Sequence, residues 1–531
     1  MKTSFLLGAV LFLAGVIGIR AQTNLMVRIY FAGAEEISAD TNSPAFTNEF
    51  CSPAALALES QTLDKLSRAP AAWLKYGMPS GAGDGTAQLR PLLDDFLKSE
   101  WMFEMRDANN GSPEYALAIR LSGDHAQLWQ NNLQSLLESW TKIAARKIPD
   151  GFELRKHQPP NLFRFERHGD WVVIDSGESE LSLDGEILEP LLKTKIAAAE
   201  TNWLTADLNW PRLAQFFPAF ARFDFPKTEL RVNGRDGNLR LSGKFTLAQP
   251  LPPLEKWQLP TNTIRPPLDS FSAVRGFAPW LAKQSWARRF EISPPADQGF
   301  AWSLAQISFQ TFAAVPVPDA AAALAQLDAR LPASPSKSAA WQNSFLSTMT
   351  TMMTSNEITW RGLPFISPFL QAVHEPSGDF LFGGFFPNSP PSQPLPSELL
   401  AVFDQPNLVY YHWEITAERL QLQLQLLQLA LLLTQHQQLA AESAAGQWLK
   451  LIGPKLGVTV TEITQTAPTE LNFERSAPGG LTALEFFALA SWLEAPDFPG
   501  CDLSLTPDAE TFKRPPVQTS GATSAPPVVS H

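Results

Sequence analysis

Cysteine is nearly missing from this chain: 531 residues hold two, Cys51 and Cys501. Neither lies in a CxxC pair or beside a histidine, so a thiolate zinc site has no ligand set. Histidine is scarce as well, with seven residues and no HxH or HExxH pair. The pattern G-x-S-x-G is absent, which removes the nucleophile elbow of serine hydrolases. No GxGxxG follows a strand and no GxxxxGK[ST] occurs. Residues 81–85 are glycine-rich but lack the lysine that a phosphate loop needs. Tyrosine is rare, 5 residues against 35 Phe and 16 Trp, and rings without a polar tip favour core packing. No basic run of five residues exists, and the formal net charge is −12. Nucleic acid and anionic lipid would be repelled, and neither is expected as a partner.

What the chain does have begins at its start. Lys2 precedes an uncharged apolar run over residues 5–19, and Ile19-Arg20-Ala21 closes it before Gln22. That order predicts a secretory signal peptide over residues 1–21, cleaved after Ala21, and hence a periplasmic or secreted protein. The run is shorter than the roughly 20 residues of a comfortable membrane span. A second apolar run, residues 426–433, is shorter still and reads as a buried helix segment. The mature chain is therefore expected to be soluble, without stable membrane insertion. In an oxidising compartment Cys51 and Cys501 could form one disulfide, with two separate thiols as the alternative.

The remaining length suits two or three domains. An internal order recurs. Residues 116–122 read as a strand, and Asp124 caps a helix with Leu128, Trp129, Leu133 and Leu136 at helical spacing. Residues 307–317 and the cap Asp319 repeat that order. A hairpin turning at Gly169-Asp170 has its counterpart at Gly378-Asp379. Asparagine-initiated strands follow at Asn202 and Asn407. A closing hairpin around Gly234-Arg235-Asp236-Gly237 matches one around Thr466-Ala467-Pro468-Thr469. The expected fold is α+β: two related lobes of antiparallel sheet packed with helices, plus a smaller N-terminal segment. The expected spans are an N-terminal α/β segment over 22–112 and a first repeat over 113–260. A connector over 261–300 leads to a second repeat over 301–500, which carries a long Gln/Leu-rich helix. A mostly disordered tail covers 501–531. Residues 53–73 and 91–105 each read as a helix.

No residue earns a catalytic, cofactor-binding or metal-ligating assignment, and no cofactor is expected. Ser176 and Ser179 end a strand in an ordinary polar turn. His412 sits in an aromatic strand and reads as a partly buried structural histidine. Asp170 and Asp379 occupy matching places, but turn formation accounts for both. Asp94, Asp95, Glu100 and Glu104 read as one solvated helix face. Trp171 and Trp203 read as core.

The stretches Phe31-Ala32-Gly33-Ala34-Glu35-Glu36-Ile37, Asn202-Trp203-Leu204-Thr205-Ala206-Asp207 and Phe309-Gln310-Thr311-Phe312 resemble a group of uncharacterised exported bacterial proteins. That resemblance implies a location and no chemistry. The expected role is a non-catalytic binding or envelope scaffold protein, with an envelope polymer or another protein as partner. The alternative is a hydrolase of polysaccharide or peptide, with carboxylates between the lobes.

Overall fold

The computed structural model describes residues 25–74, 85–107, 112–157, 160–178, 183–194, 202–282, 297–305, 310–330, 350–363, 366–386, 395–434, 443–496 and 498–500. The expected leader, the residues between Pro70's helix and Gly85, and the tail from 501 lie outside them.

The chain opens with β1 (Leu25–Phe31) and four helices, α1 (Ala34–Ala39), α2 (Pro44–Phe50), α3 (Pro53–Leu74) and α4 (Thr86–Lys98). Then come β2 (Trp101–Asp107), β3 (Pro113–Arg120), α5 (Gly123–Thr141) and four strands, β4 (Arg146–Ile148), β5 (Gly151–His157), β6 (Pro160–His168) and β7 (Trp171–Gly177). After α6 (Leu183–Thr194), β8 (Leu204–Leu208) and α7 (Trp210–Phe216), the hairpin β9 (Lys227–Arg235) and β10 (Asn238–Thr246) closes this half.

Residues 247–267 carry no strand or helix. Next follow β11 (Leu268–Arg275), α8 (Ala278–Leu281), β12 (Gln298–Leu304), β13 (Thr311–Val317) and α9 (Ala320–Arg330). Four strands come after, β14 (Thr350–Met353), β15 (Glu357–Arg361), β16 (Phe369–Glu375) and β17 (Gly378–Gly384). The chain ends through α10 (Ser397–Val402), β18 (Leu408–Ile415), α11 (Thr416–Thr434), α12 (Ala444–Ile452), β19 (Val458–Ala467), β20 (Glu470–Ala477) and α13 (Ala483–Glu494). The stretch read as a connector, 261–300, thus contains β11 and the first residues of β12.

Local chemistry explains the boundaries. Asp236 and Gly237 both have positive φ, as a two-residue type I′ loop requires, and β9 and β10 pair directly across it. Thr482 and Glu485 form a complete capping box at the start of α13. The single helix expected over 91–105 is instead α4 followed by β2. All of Trp101 to Met105 is buried. A run covered on both faces suits an inner strand, not the one-sided stripe of a surface helix.

Among the described residues, twenty strands form one antiparallel sheet. Outward from its centre, one half reads β10-β9-β8-β1-β2-β3-β7-β6-β5-β4. The other reads β20-β19-β18-β11-β12-β13-β17-β16-β15-β14, the same order with every strand number raised by ten. β10 and β20 join the halves antiparallel. Even an irregularity recurs. The register shifts between Leu25 and Val27 in β1 and between Leu268 and Ser270 in β11, each against the next strand in its half.

Helices cover one face of the sheet more fully than the other. On that first face, Ile29, Phe103, Phe165 and Val172 pack against α4, α5 and α7 through Leu92, Trp129 and Leu213. On the second face of the same half, α6 seals Met102, Ala118 and Trp171 through Ile187 and Leu191. The other half reverses the weight. Its largest cluster, Phe271, Trp302, Phe312, Phe380 and Phe382, lies on the second face under Trp257 and Phe403. Each such side chain contributes about 1.5–3 kcal/mol when fully buried. A helical layer ties the two halves together: Leu58 of α3 joins Leu420, Leu449 and Phe486 of α11, α12 and α13. Gln61 donates to Glu494 at 2.9 Å and Lys65 to the Leu493 carbonyl at 2.6 Å across this contact.

Candidate functional site

Two regions gather polar side chains. The first lies on the first face of the second half. One cross-strand row runs Thr459, Glu414, Ser270, Ser303, Thr311, and the next runs Arg475, Thr461, His412, Ser272. Ser272 Oγ and His412 Nδ1 lie 2.7 Å apart, and His412 Nε2 lies 3.3 Å from Glu414 Oε2. Glu414 also accepts from the Ala483 N–H at 2.7 Å, at the start of α13. Burial would raise the Glu414 pKa, yet it is held below the usual carboxylate range. The contact from His412, the Ala483 N–H and the charges of His412 and Arg419 outweigh burial. Ser303 donates to the fully buried Asp269 and accepts from Arg419 at 2.9 Å. Arg475 holds Thr461 at 2.9 Å and pairs with Glu485 at 2.6 Å.

Serine, histidine and glutamate in contact invite comparison with a hydrolytic triad. The backbone argues otherwise. Ser272 sits mid-ladder, paired to Ala301 on one side and His412 on the other. Among the described residues the backbone N–H groups beside Ser272 lie within strand pairing on both sides, so they do not form a backbone oxyanion hole. The contacts fasten β11, β18 and α13 to one another.

The second region is a hollow of about 240 Å³ over the β10–β20 junction. Its polar walls are Glu229, Arg231, Ser242, Lys244, Asn472 and Glu474, which alternate onto the second face of the sheet. On the opposite face Leu230 fills the space above Gly243. The hollow has room for about eight waters at liquid density. Ser242 pairs with Glu474 at its floor, and both hold the same place in the strand order of their halves.

Charge around the hollow is uneven. Glu462 lies directly opposite Glu474, and burial together with that neighbour raises its pKa. Asp207 lies opposite Glu229. Burial first, and Glu229 second, push Asp207 up to about 6, against the opposing charges of Lys227, Arg28 and Arg231. Asp207 is 7% exposed, and its Oδ1 accepts no hydrogen bond. Beyond it, Arg28 Nε donates to Glu104 at 2.6 Å, with both side chains buried.

The residues weighed in the sequence scatter. Glu104 is a buried strand residue, not part of a solvated helix face. Asp95 accepts from His125 at 2.8 Å and Trp129 at 2.9 Å, while Asp94 pairs with Arg90 on α4. Asp170 is exposed at its turn. Asp379 pairs with His374 at 2.6 Å and accepts from the Ala320 N–H at the start of α9. Trp171 and Trp203 are buried. Ser176 lies on β7, and Ser179 falls outside the described residues. Cys51 is exposed at the end of α2, and Cys501 lies outside the described residues. Among the described residues no group of three or more His, Cys, Asp or Glu could hold a metal ion. None of their helices is long and apolar enough to cross a membrane. Sequence reading missed Ser272, Asp207, Glu462 and Glu474, because each gains its meaning from a strand partner that spacing does not reveal.

Comparison with known proteins found no matching family model, no matching curated protein and no matching solved structure.

Proposed function

We propose that this is an exported, non-catalytic binding protein of the cell envelope, built from two related halves, with the junction hollow as its binding site. The observation that carries the reading is the hollow itself. It is open, lined by both signs of charge, and sits where the two halves meet, a common place for ligands. Duplication is supported by the shared strand order, the β1 and β11 irregularities and the Ser242–Glu474 pairing, since bulges tend to persist within a family. On this reading the first half begins at β1 and spans 25–246, and the second spans 268–477. Residues 22–112 and 261–300 then belong to the halves instead of standing apart. The leader over 1–21 supplies the export signal, and a periplasmic or secreted location follows from it.

The test is co-sedimentation of residues 22–531 with insoluble envelope polymer. Arg231→Glu and Ser242→Trp, each confirmed folded by its melting curve, should lose sedimentation at least tenfold. Undiminished sedimentation of both variants would remove the hollow from the function. The hydrolase alternative has one favouring observation, the Ser272–His412–Glu414 contact. Turnover of polymer abolished by Ser272→Ala would establish it.

A further inference from the structure

We propose that the junction hollow takes a small zwitterion, a short peptide with both ends free, its carboxylate on Arg231 and its ammonium between Glu474 and Glu462. The inference rests on the hollow being the binding site and adds the chemistry of the ligand.

The charges are arranged for it. Across the Ser242–Glu474 pair one cross-strand row reads Arg231, Ser242, Glu474, Glu462. Arg231 and Glu474 are exposed, and neither makes an ion pair or hydrogen bond among the described residues. The two nearby lysines are already matched: Lys227 pairs with Glu229 at 3.1 Å and Lys244 with Glu470 at 2.7 Å. Within this row, Arg231 on the first half and Glu474 and Glu462 on the second make no ion pair among the described residues, while the unpaired Asp207 is buried one strand further out, opposite Glu229. Two like charges directly opposite each other on adjacent strands are unfavourable, and an ammonium seated between them relieves the repulsion. Ser242 is small, so the floor between the poles is clear. The guanidinium offers the forked donors that suit a carboxylate.

Spacing sets the length. From β9 to the midpoint of β20 and β19 is two and a half strand steps, about 12 Å. An extended peptide spans about 3.3–3.6 Å per residue, so about three to four residues bridge the poles. A neutral sugar polymer would leave both poles unpaired, and a single-sign ligand would leave one.

The test is titration calorimetry of residues 22–531 with triglycine, N-acetyl-triglycine and triglycinamide. These probes share a backbone and differ in their end charges. Triglycine should bind at least tenfold tighter than either blocked probe. Arg231→Ala should erase the preference for a free carboxylate, and Glu474→Gln the preference for a free ammonium. Both residues are exposed, so the variants should melt as the parent does. Equal affinity for the three probes overturns the inference, as does no binding up to about 10 mM, well above a millimolar site's range. If Ser242→Trp loses polymer sedimentation while the parent treats the three probes alike, the hollow remains a binding site and the zwitterion falls. If Ser242→Trp and Arg231→Glu both sediment undiminished, both fall.

Discussion

The two halves of the sheet share a ladder and invert its chemistry. On the second face, the row Ala116, Glu104, Arg28, Asp207, Glu229 holds the places that Phe312, Trp302, Phe271, Trp413 and Val460 hold in the other half. On the first face, Met105, Val27 and Leu208 stand where Ser303, Ser270 and Glu414 stand. Ile29 and Ala206 likewise stand where Ser272 and His412 do. A strand order therefore tolerates either polarity on either face, provided some other layer covers the apolar side. Backbone pairing specifies the topology, and side-chain rows specify what each face can meet.

Substitutions at matched places can break that comparison. The largest loss should come from Trp302→Ala, about 3–5 kcal/mol in urea unfolding, because a fully buried indole leaves a cavity. Its counterpart, Glu104→Ala, should cost about as much, roughly 3–5 kcal/mol, for a different reason: Arg28 remains buried without its partner. Arg28→Met combined with Glu104→Met should recover most of that loss, making the first half resemble the second. A double variant no better than Glu104→Ala would show that the face needs charge.

Smaller effects sharpen the contrast through pH. Asp207→Asn should stabilise the protein by about 1–2 kcal/mol at pH 7. The folded-state pKa of Asp207, about 6, lies above its ordinary value. The folded protein therefore takes up this proton first as pH falls, and the residue's cost, full above about 6, shrinks from about 6 down to the ordinary value of 3.8. Glu414 has the opposite sign. Its lowered pKa gives stability that is present above the ordinary carboxylate range and lost on acidification. His412→Ala, which installs the first half's residue, should cost about 1 kcal/mol and weaken that acid limb. Denaturant midpoints measured from about pH 2.5 to 8 check both, since the Glu414 limb lies below its ordinary value of 4.5. A common direction for the two variants would contradict the assignment.

Turn chemistry was plain in the chain itself. Gly169-Asp170 and Asp236-Gly237 announce their hairpins, because Gly169, Asp236 and Gly237 take a positive φ that few other residues adopt. The hairpin expected at Gly378-Asp379 turns instead at Pro376-Ser377, and Gly378 and Asp379 are already paired in β17. The recurring strand–helix order was also readable, and Asp319 does cap α9, but Asp124 lies inside the first turn of α5, with Ser122 at the cap position. The full extent of the shared strand order was not readable. In the first half α1 to α4 separate β1 from β2, so these strands, which lie inside that half, look in the sequence like an unrelated preface. The polar rows were hidden for a related reason. Ser272 and His412 lie 140 positions apart in the chain, and Asp207 meets Arg28 only after β1 and β8 have found each other. Alternation tells which face a residue takes, not which residue it will face.

The Ser242–Glu474 junction carries one more consequence. A chain ending at residue 246 would leave the outer rim of β10 bare, with every amide along it offered to a newcomer. Since β10 meets its own counterpart in the intact protein, another copy of the same fragment is a natural guest. Under the duplication reading, an ancestral single half could have met its twin this way as a dimer. Residues 247–267 would then have turned an encounter that depends on concentration into one that is always close at hand.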